Sequence, residues 1–341
     1  MKRKTIFILV TLLIIIVSFA SWKVFGPGVS SPDGKYFYVK TGSTFKEMRG
    51  ELVSKKVIAS PTWFDWIAGA MKFSLARAGK YEIENKMSLF NLVRMLKNGK
   101  QTPVKLVITK IRLKEDLARK LGQTFEFDST AAYGFLSEYD SLKAYGLDSN
   151  TAMSAVMPDT YSFYWNTTPK KVYQKLFDHW EQFWNDERKF KATAIGLSPI
   201  QVTTLASIVD EEVNDVEEKK KIASVYINRL NKNMPMQACP TVKYALRDFG
   251  LKRIYEKHLA VQSPYNTYIN DGLPPGPICT PQPATIDIVL NAPQTDYLYF
   301  VANSDFSGTH IYTSNYADHL KYAKLFAQAQ DKQEAIRKAN K

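Results

Sequence analysis

The chain is poor in metal-binding side chains: 341 residues carry two cysteines and four histidines. No cysteine has a histidine partner at metal-ligand spacing, so metal catalysis finds no support and no cofactor is expected. Cys239 and Cys279 leave two readings open, one disulfide or two unpaired buried thiols. Acidic residues are in deficit too, 33 against 46 Lys and Arg, for a formal charge of +13. Such a surplus suits an anionic membrane surface or an acidic cell-envelope polymer. Long low-complexity segments are missing, and apolar residues make up 45% of the chain. A packed core is therefore within reach, and nothing argues for disorder. Long apolar runs are also missing, with one exception.

That exception is Thr5–Trp22, eighteen residues without a charge, behind Lys2-Arg3-Lys4. As a helix it spans about 27 Å, close to the hydrocarbon core of a bilayer. Cations ahead of the run hold the N-terminus in the cytoplasm, which puts the bulk of the chain on the periplasmic side of an inner membrane. A cleaved signal peptide is the competing reading, since Ser18 and Ala20 sit at cleavage-like spacing. The run exceeds the usual apolar region of a signal peptide, which favours a retained, single-pass transmembrane anchor. The same topology argues against nucleic acid as the partner of the basic surface.

Behind the anchor (residues 1–23) the pattern divides into an α/β region at 34–150 and a mixed α+β region at 151–341. In the first, Tyr36–Val39 is strand-like, Thr44 and Glu47 form a capping box, and Ser60-Pro61 opens a second helix. Lys80–Ile83 is strand-like again. This strand–helix–helix–strand order resembles a LysM module, which binds glycan; the alternative is an ordinary α+β domain. Ser88 then starts a helix stopped by Gly99, followed by a strand at Val104–Thr109 and a helix over Lys114–Leu121. The second region begins at Met157-Pro158-Asp159-Thr160-Tyr161, which reads as a turn. Thr168-Pro169 caps a helix bearing an aromatic stripe that includes Tyr173, Phe177 and Trp180. A loop dense in glycine and proline, Gly272–Ile278, is the kind of rigid segment on which sites are built. A hairpin over Tyr297–Ala302 and Thr309–Tyr312 precedes a last helix from Tyr316.

Chemistry concentrates in the helix opened by Ser198-Pro199. Leu205, Ile208, Val209 and Glu212 lie at i, i+3, i+4 and i+7, so they share one face. Asp210 and Glu211 are rotated away from it, toward water. A carboxyl aimed among apolar side chains has its pKa raised and can act as a general acid, for example toward a glycosidic oxygen. The competing reading is a solvated acidic segment. Asn214-Asp215 breaks this helix and caps the next. Two antiparallel helices joined by that acidic turn place Glu212 at the edge of a cleft.

The segments Leu205–Glu212 (LASIVDEE), Pro158–Tyr161 (PDTY), Tyr265–Tyr268 (YNTY), Gly272–Ile278 (GLPPGPI) and Asp296–Ala302 (DYLYFVA) together resemble the YceG-like endolytic murein transglycosylases. The resemblance implies a membrane-anchored lyase that cuts peptidoglycan between N-acetylmuramic acid and N-acetylglucosamine without water, leaving 1,6-anhydro ends. It implies Glu212 as the catalytic residue, being the last glutamate of the family's LASIV-E-x-E pattern, with Asp210 in place of the earlier one. It also implies peptidoglycan glycan strands as substrate and a peptidoglycan synthase as partner, with nascent strands terminated by internal cuts. Three departures stand out. Val213 replaces a common Thr; Cys239 replaces the Asp of Gln-x-Asp-Pro-Thr-Val, leaving Gln237 as the polar candidate; and Ile108–Ile111 replaces an Ile-Pro-Glu-Gly pattern. The last suggests that the N-terminal module has drifted more than the catalytic one. Gln237, Asn266 and Tyr268 are expected to contact sugar hydroxyls or the acetamido group, Asn266 being alternatively a turn cap. His310 matches a family histidine and is expected to meet a carboxylate, or else is structural. Two other classes stay open: a glycan-binding protein without activity, and a hydrolytic muramidase in which Asp210 activates water.

Overall fold

A computed structural model describes residues 2–339, with mixed helix and strand, the strands pairing as three two-stranded sheets. The chain divides into two compact units. The first comprises Met1–Leu106, Leu121–Asp128 and Tyr161–Thr168, and the second Val107–Lys120, Ser129–Thr160 and Pro169–Lys341. The first long stretch of the first unit ends at Leu106. Backbone bonding explains why the stretch after Leu106 joins the second unit. The Thr280 N–H donates to Ile111 O at 2.8 Å, and the Ile111 N–H donates to Thr280 Oγ1 at 2.9 Å.

The elements of the first part of the chain are α1 (Lys2–Phe25), β1 (Tyr36–Val39), α2 (Phe45–Ser54), α3 (Pro61–Ala70), β2 (Gly79–Glu82), α4 (Leu89–Asn98) and β3 (Val104–Ile108). Residues Arg3–Phe25 form a helix long and apolar enough to cross a membrane, and its apolar window is not buried in the molecule. The strand–helix–helix–strand order is present, with β1 antiparallel to β2 from Tyr36–Glu82 to Val39–Gly79. Strand alternation sends Phe37, Val39 and Tyr81 inward to meet Leu52, Phe64, Ile67 and Leu92. Local chemistry sets the helix ends. Thr44 Oγ1 accepts from the Glu47 N–H while Glu47 Oε2 accepts from the Thr44 N–H, and Gly99 (φ 65°) ends α4 in the left-handed conformation.

Then follow α5 (Lys114–Thr124), α6 (Ser129–Ser137), α7 (Tyr139–Leu142), β4 (Asp159–Phe163), α8 (Pro169–Phe183), α9 (Asp186–Ala194), α10 (Pro199–Glu212), α11 (Val216–Asn231), α12 (Cys239–Leu246), α13 (Glu256–Leu259), α14 (Pro283–Leu290), β5 (Tyr299–Ala302), β6 (His310–Thr313) and α15 (Tyr316–Ala339). The Pro158–Tyr161 segment is not a turn: β4 pairs with β3. Thr160, Tyr161 and Phe163 favour strand, and Pro158 stands just ahead of it, where a missing N–H costs no ladder bond. The stripe on α8 is core, with Tyr173, Leu176 and Phe177 buried.

The second unit is built around α10, which packs against α9, α11, α12 and α14. Every residue from Val202 to Asp210 is buried, so this helix has no wet face over that stretch. The sequence permits this because its hydroxyls are satisfied within the helix. Thr203 Oγ1 donates to Pro199 O at 2.8 Å, Thr204 Oγ1 to Ile200 O at 2.9 Å and Ser207 Oγ to Thr204 O at 2.7 Å.

Candidate active site

Glu212 is the last residue of α10. The helix starts on a capping box between Ser198 and Gln201 and ends where Val213 turns extended (φ −147°). Asp215 then caps α11, accepting from the Glu218 N–H at 2.9 Å. This short connection folds α11 back along α10 and brings Tyr226, itself 1% exposed, to the carboxylate. The Tyr226 hydroxyl donates to Glu212 Oε1 at 2.7 Å. Burial pushes the Glu212 carboxyl up from 4.5 to about 7, with the Glu211 charge acting in the same direction. The Tyr226 hydrogen bond and the Lys243 charge pull it back. The position at the C-terminal end of a helix further disfavours negative charge. A carboxyl poised near neutrality can both give and take a proton.

The two acids beside it do not face water, contrary to the helical-wheel expectation. Asp210 is 3% exposed. Its Oδ1 accepts from Lys219 Nζ and, at 2.7 Å, from Thr285 Oγ1, and Lys110 Nζ stands 3.1 Å from Oδ2. Burial opposes the Asp210 charge, but these bonds and cations outweigh it and hold the carboxyl below the ordinary range. Glu211 accepts from Arg112 at 2.9 and 3.1 Å. The wheel failed because α10 is covered on all sides, so turning away from the apolar face does not mean turning toward solvent. Asp210, engaged on both oxygens, is poorly suited to activating water as a muramidase base. Lys110 and Arg112 also show that the departure at Ile108–Ile111 falls beside the carboxylates of α10, not in the N-terminal module.

The predicted substrate-binding residues separate into different roles. Tyr268 Oη lies 3.3 Å from Cys239 Sγ. Burial raises the pKa of both groups, and both feel the Glu212 charge, which places them around that carboxylate. Gln237 is exposed, in the left-handed conformation (φ 51°), and its N–H donates to Thr267 O at 3.1 Å. It therefore borders the same loop. Asn266 is a correction: it is fully buried and takes the turn-cap alternative. Its Nδ2 donates to Leu259 O (2.8 Å) and Val261 O (2.9 Å), and its Oδ1 accepts from the Tyr268 N–H (3.0 Å). With its polar atoms spent, it holds Tyr268 rather than a sugar. His310 does meet a carboxylate, that of Glu218: Nδ1 lies 2.9 Å from Oε2, and its backbone N–H donates there at 2.8 Å. Tyr312 Oη donates to the same oxygen at 2.9 Å.

The Gly272–Ile278 loop is pinned to α10 by the Ile278 N–H, which donates to Ser207 Oγ at 2.9 Å. A Cβ at Gly276 would stand 2.0 Å from Asn150 O, so only glycine fits. Both cysteines are free, which removes the disulfide reading. Sequence reasoning missed Tyr226, Lys110, Lys219 and Glu218 as site neighbours. Tyr226 alone carried a signal, a hydroxyl-tipped ring on the apolar stripe of Ile222 and Val225, since buried Tyr hydroxyls find partners.

Known proteins resemble this chain over most of its length. A model of the YceG-like family matches residues 37–325. An endolytic murein transglycosylase of Bacillus subtilis (strain 168) is 28% identical over 311 residues, covering 83% of this chain and 82% of its own. One from Streptococcus pneumoniae serotype 2 is 27% identical over 318 residues, covering 82% of this chain and 56% of its own. The crystal structure of a yceG-like protein from Listeria monocytogenes is similar with a TM-score of 0.56 at 26% identity, covering 84% of this chain and 99% of that one.

Proposed function

The chain belongs to the YceG-like family, and on that premise we propose that it is a peptidoglycan lytic transglycosylase with Glu212 as its acid–base group. The observation that carries this is the Glu212 carboxyl, held near pKa 7 by burial and gripped on one oxygen by Tyr226. An ordinary glycosidase needs two carboxyls. Here the two acids that precede Glu212 in the chain, Asp210 and Glu211, are tied to cations. One residue can suffice if the nucleophile belongs to the substrate.

Protonated Glu212 gives its proton to the bridging oxygen as the bond from C1 of N-acetylmuramic acid to O4 of N-acetylglucosamine breaks. The substrate's acetamido group stabilises the cationic C1. The carboxylate then takes the proton of the muramoyl 6-hydroxyl as O6 bonds to C1, which closes the 1,6-anhydro ring and restores the acid. Holding O6 close to C1 supplies much of the rate, as for any intramolecular nucleophile. Tyr268 and Gln237 supply polar contacts at the rim. A groove of about 770 Å³ in the first unit, lined by residues including Tyr36, Tyr38, Ser54 and Lys55, offers aromatic faces, hydroxyls and a cation to a glycan strand, in keeping with a LysM-like role.

In this reading α1 crosses the inner membrane, Lys2-Arg3-Lys4 stays inside, and the catalytic unit cuts nascent strands endolytically beside a synthase. Mass spectrometry of defined glycan strands after digestion tests the chemistry. Fragments should end in anhydro groups, one water lighter than reducing ends. Glu212→Gln should remove this product by a factor of about 10²–10⁴ while strands still bind. Reducing ends would instead identify a hydrolase, and unchanged turnover in the variant would exclude Glu212.

A further inference from the structure

Helix α1 does not join the first unit through a linker. The Gly26 N–H continues the helix by donating to Trp22 O at 2.8 Å, and the Gly28 and Val29 N–H groups donate to Met87 O at 3.2 and 3.1 Å. Val24 is part of the core, and Phe25 packs on Phe90 with ring centroids 5.2 Å apart. The direction of α1 relative to α3 and α4 is therefore fixed by packing.

That packing sets α3 beside the apolar run itself. The Phe19 and Trp63 rings meet edge-on at 6.4 Å, and Trp63 meets Trp66 at 5.9 Å. A cavity of about 390 Å³ is lined by Val17 and Ala20 of α1 together with Trp66, Ala70 and Phe90. Val17 lies five residues before the end of the uncharged run at Trp22, which is about 7 Å inside it at helical rise. Side chains of α3 thus stand level with residues that a bilayer would cover. Their exposure fits that level. Phe64 and Ile67 face the core, whereas Trp66 is 61% exposed and Leu75, just beyond the helix, 70%. Cations surround the patch. Lys23 Nζ lies 5.1 Å from the Trp22 ring, Arg94 lies over Phe90 at 5.6 Å, and Lys72 is exposed next to Met71. The one acid of α3, Asp65, is paired with Arg49 at 2.6 Å.

We infer that α3 and the segment after it form a membrane-interface element, with Trp63, Trp66 and Leu75 entering the headgroup–acyl boundary of an anionic phospholipid bilayer. This rests on the reading of α1 as a membrane span. Aromatic rings with one polar edge prefer that boundary, and Lys23, Lys72 and Arg94 meet lipid phosphates there. The module is then seated on the membrane at a fixed depth by two elements.

The test uses the full chain in phosphatidylglycerol vesicles whose acyl chains carry bromine near the headgroup, with tryptophan fluorescence as readout. Trp66→Phe should remove roughly a third of the quenched signal, because Trp22, Trp63 and Trp66 share the interface. Flotation of the vesicles reports the anchor separately. Protein that floats with its lipid but shows the same quenching with and without Trp66 would overturn the interface element and leave the anchor standing. Protein that does not float would overturn both.

Discussion

Glu212 sits where its charge is discouraged, and that gives the residue two expected signatures. Its folded pKa, about 7, lies above its ordinary 4.5, so the folded state binds the proton more tightly. The associated stability is fully present below about pH 4.5 and is lost as pH rises through about 7. Glu212→Gln has no such loss. It should leave stability nearly unchanged at pH 4 and raise it by about 2–3 kcal/mol at pH 8, read from urea denaturation at the two pH values. Equal effects at both would show an unperturbed carboxyl. Activity carries the other signature: in the proposed reaction the first step needs the acid form, so turnover should fall as pH rises past that pKa. Tyr226→Phe deletes a bond that favours the charged form, so the alkaline limb of kcat should move up by on the order of one unit with KM little changed. An unmoved limb would make Tyr226 mere packing. At this scale the desolvated setting of the Glu212 carboxyl was legible, because the i, i+7 spacing aims it among apolar side chains. The setting of Asp210 was not. Lys110 and Thr285 reach it from 100 and 75 residues away, and no local periodicity carries that information.

The acidic helix, its turn and the next helix behave as one element because their ends are chemically closed. Ser198 with Gln201 starts α10, and Asp215 restarts the chain as α11, where the sequence signals placed these boundaries. The Pro158–Tyr161 segment went the other way, since its partner strand β3 lies some fifty residues earlier (a pairing that no turn signal can announce). Short helices such as α9, α12 and α14 escaped notice because they take their stability from packing around α10 rather than from a marked amphipathic pattern. Between α10 and α11 the closest tie is the buried pair of Asp210 and Lys219, whose side chains are 2% and 10% exposed. Removing Lys219 takes one of two cations from the Asp210 carboxylate and leaves Lys110 and Thr285 on it. Lys219→Met should cost about 1.5–3 kcal/mol, the worth of a hydrogen bond to a charged group, and adding Asp210→Leu to it should return part of that loss. Chemical denaturation of the single and double variants reads this directly. A double variant as unstable as the sum of its parts would mean that the two charges are not coupled.

At the scale of the whole molecule, the N-terminal apolar run and the mixed chain behind it were legible as two different stretches. Composition alone separates an uncharged stretch from a mixed one. What composition could not give is their continuity, since Val24 and Phe25 read as the tail of an apolar run rather than as core. Val24 is only 8% exposed, and Val29 behind it 4%, within the same cluster as Ile58 and Leu89. A cleavage site near Ser21 would spare these residues, whereas loss of everything through Gly28 would not. Two shortened chains therefore differ in a predictable way. One beginning at Ser21 keeps the last turn of α1 and its contacts with α4. One beginning at Val29 loses the Val24 side chain and the N–H that Gly28 offers to Met87 O. Full burial of a valine is worth about 1.5–3 kcal/mol and a backbone hydrogen bond about 1. The second chain should thus be less stable by about 2–4 kcal/mol, measured as the difference in urea unfolding free energy between the two. Coincident transitions would show that α1 ends outside the domain and acts as a tether, whereas separated ones would make its last turn part of the fold.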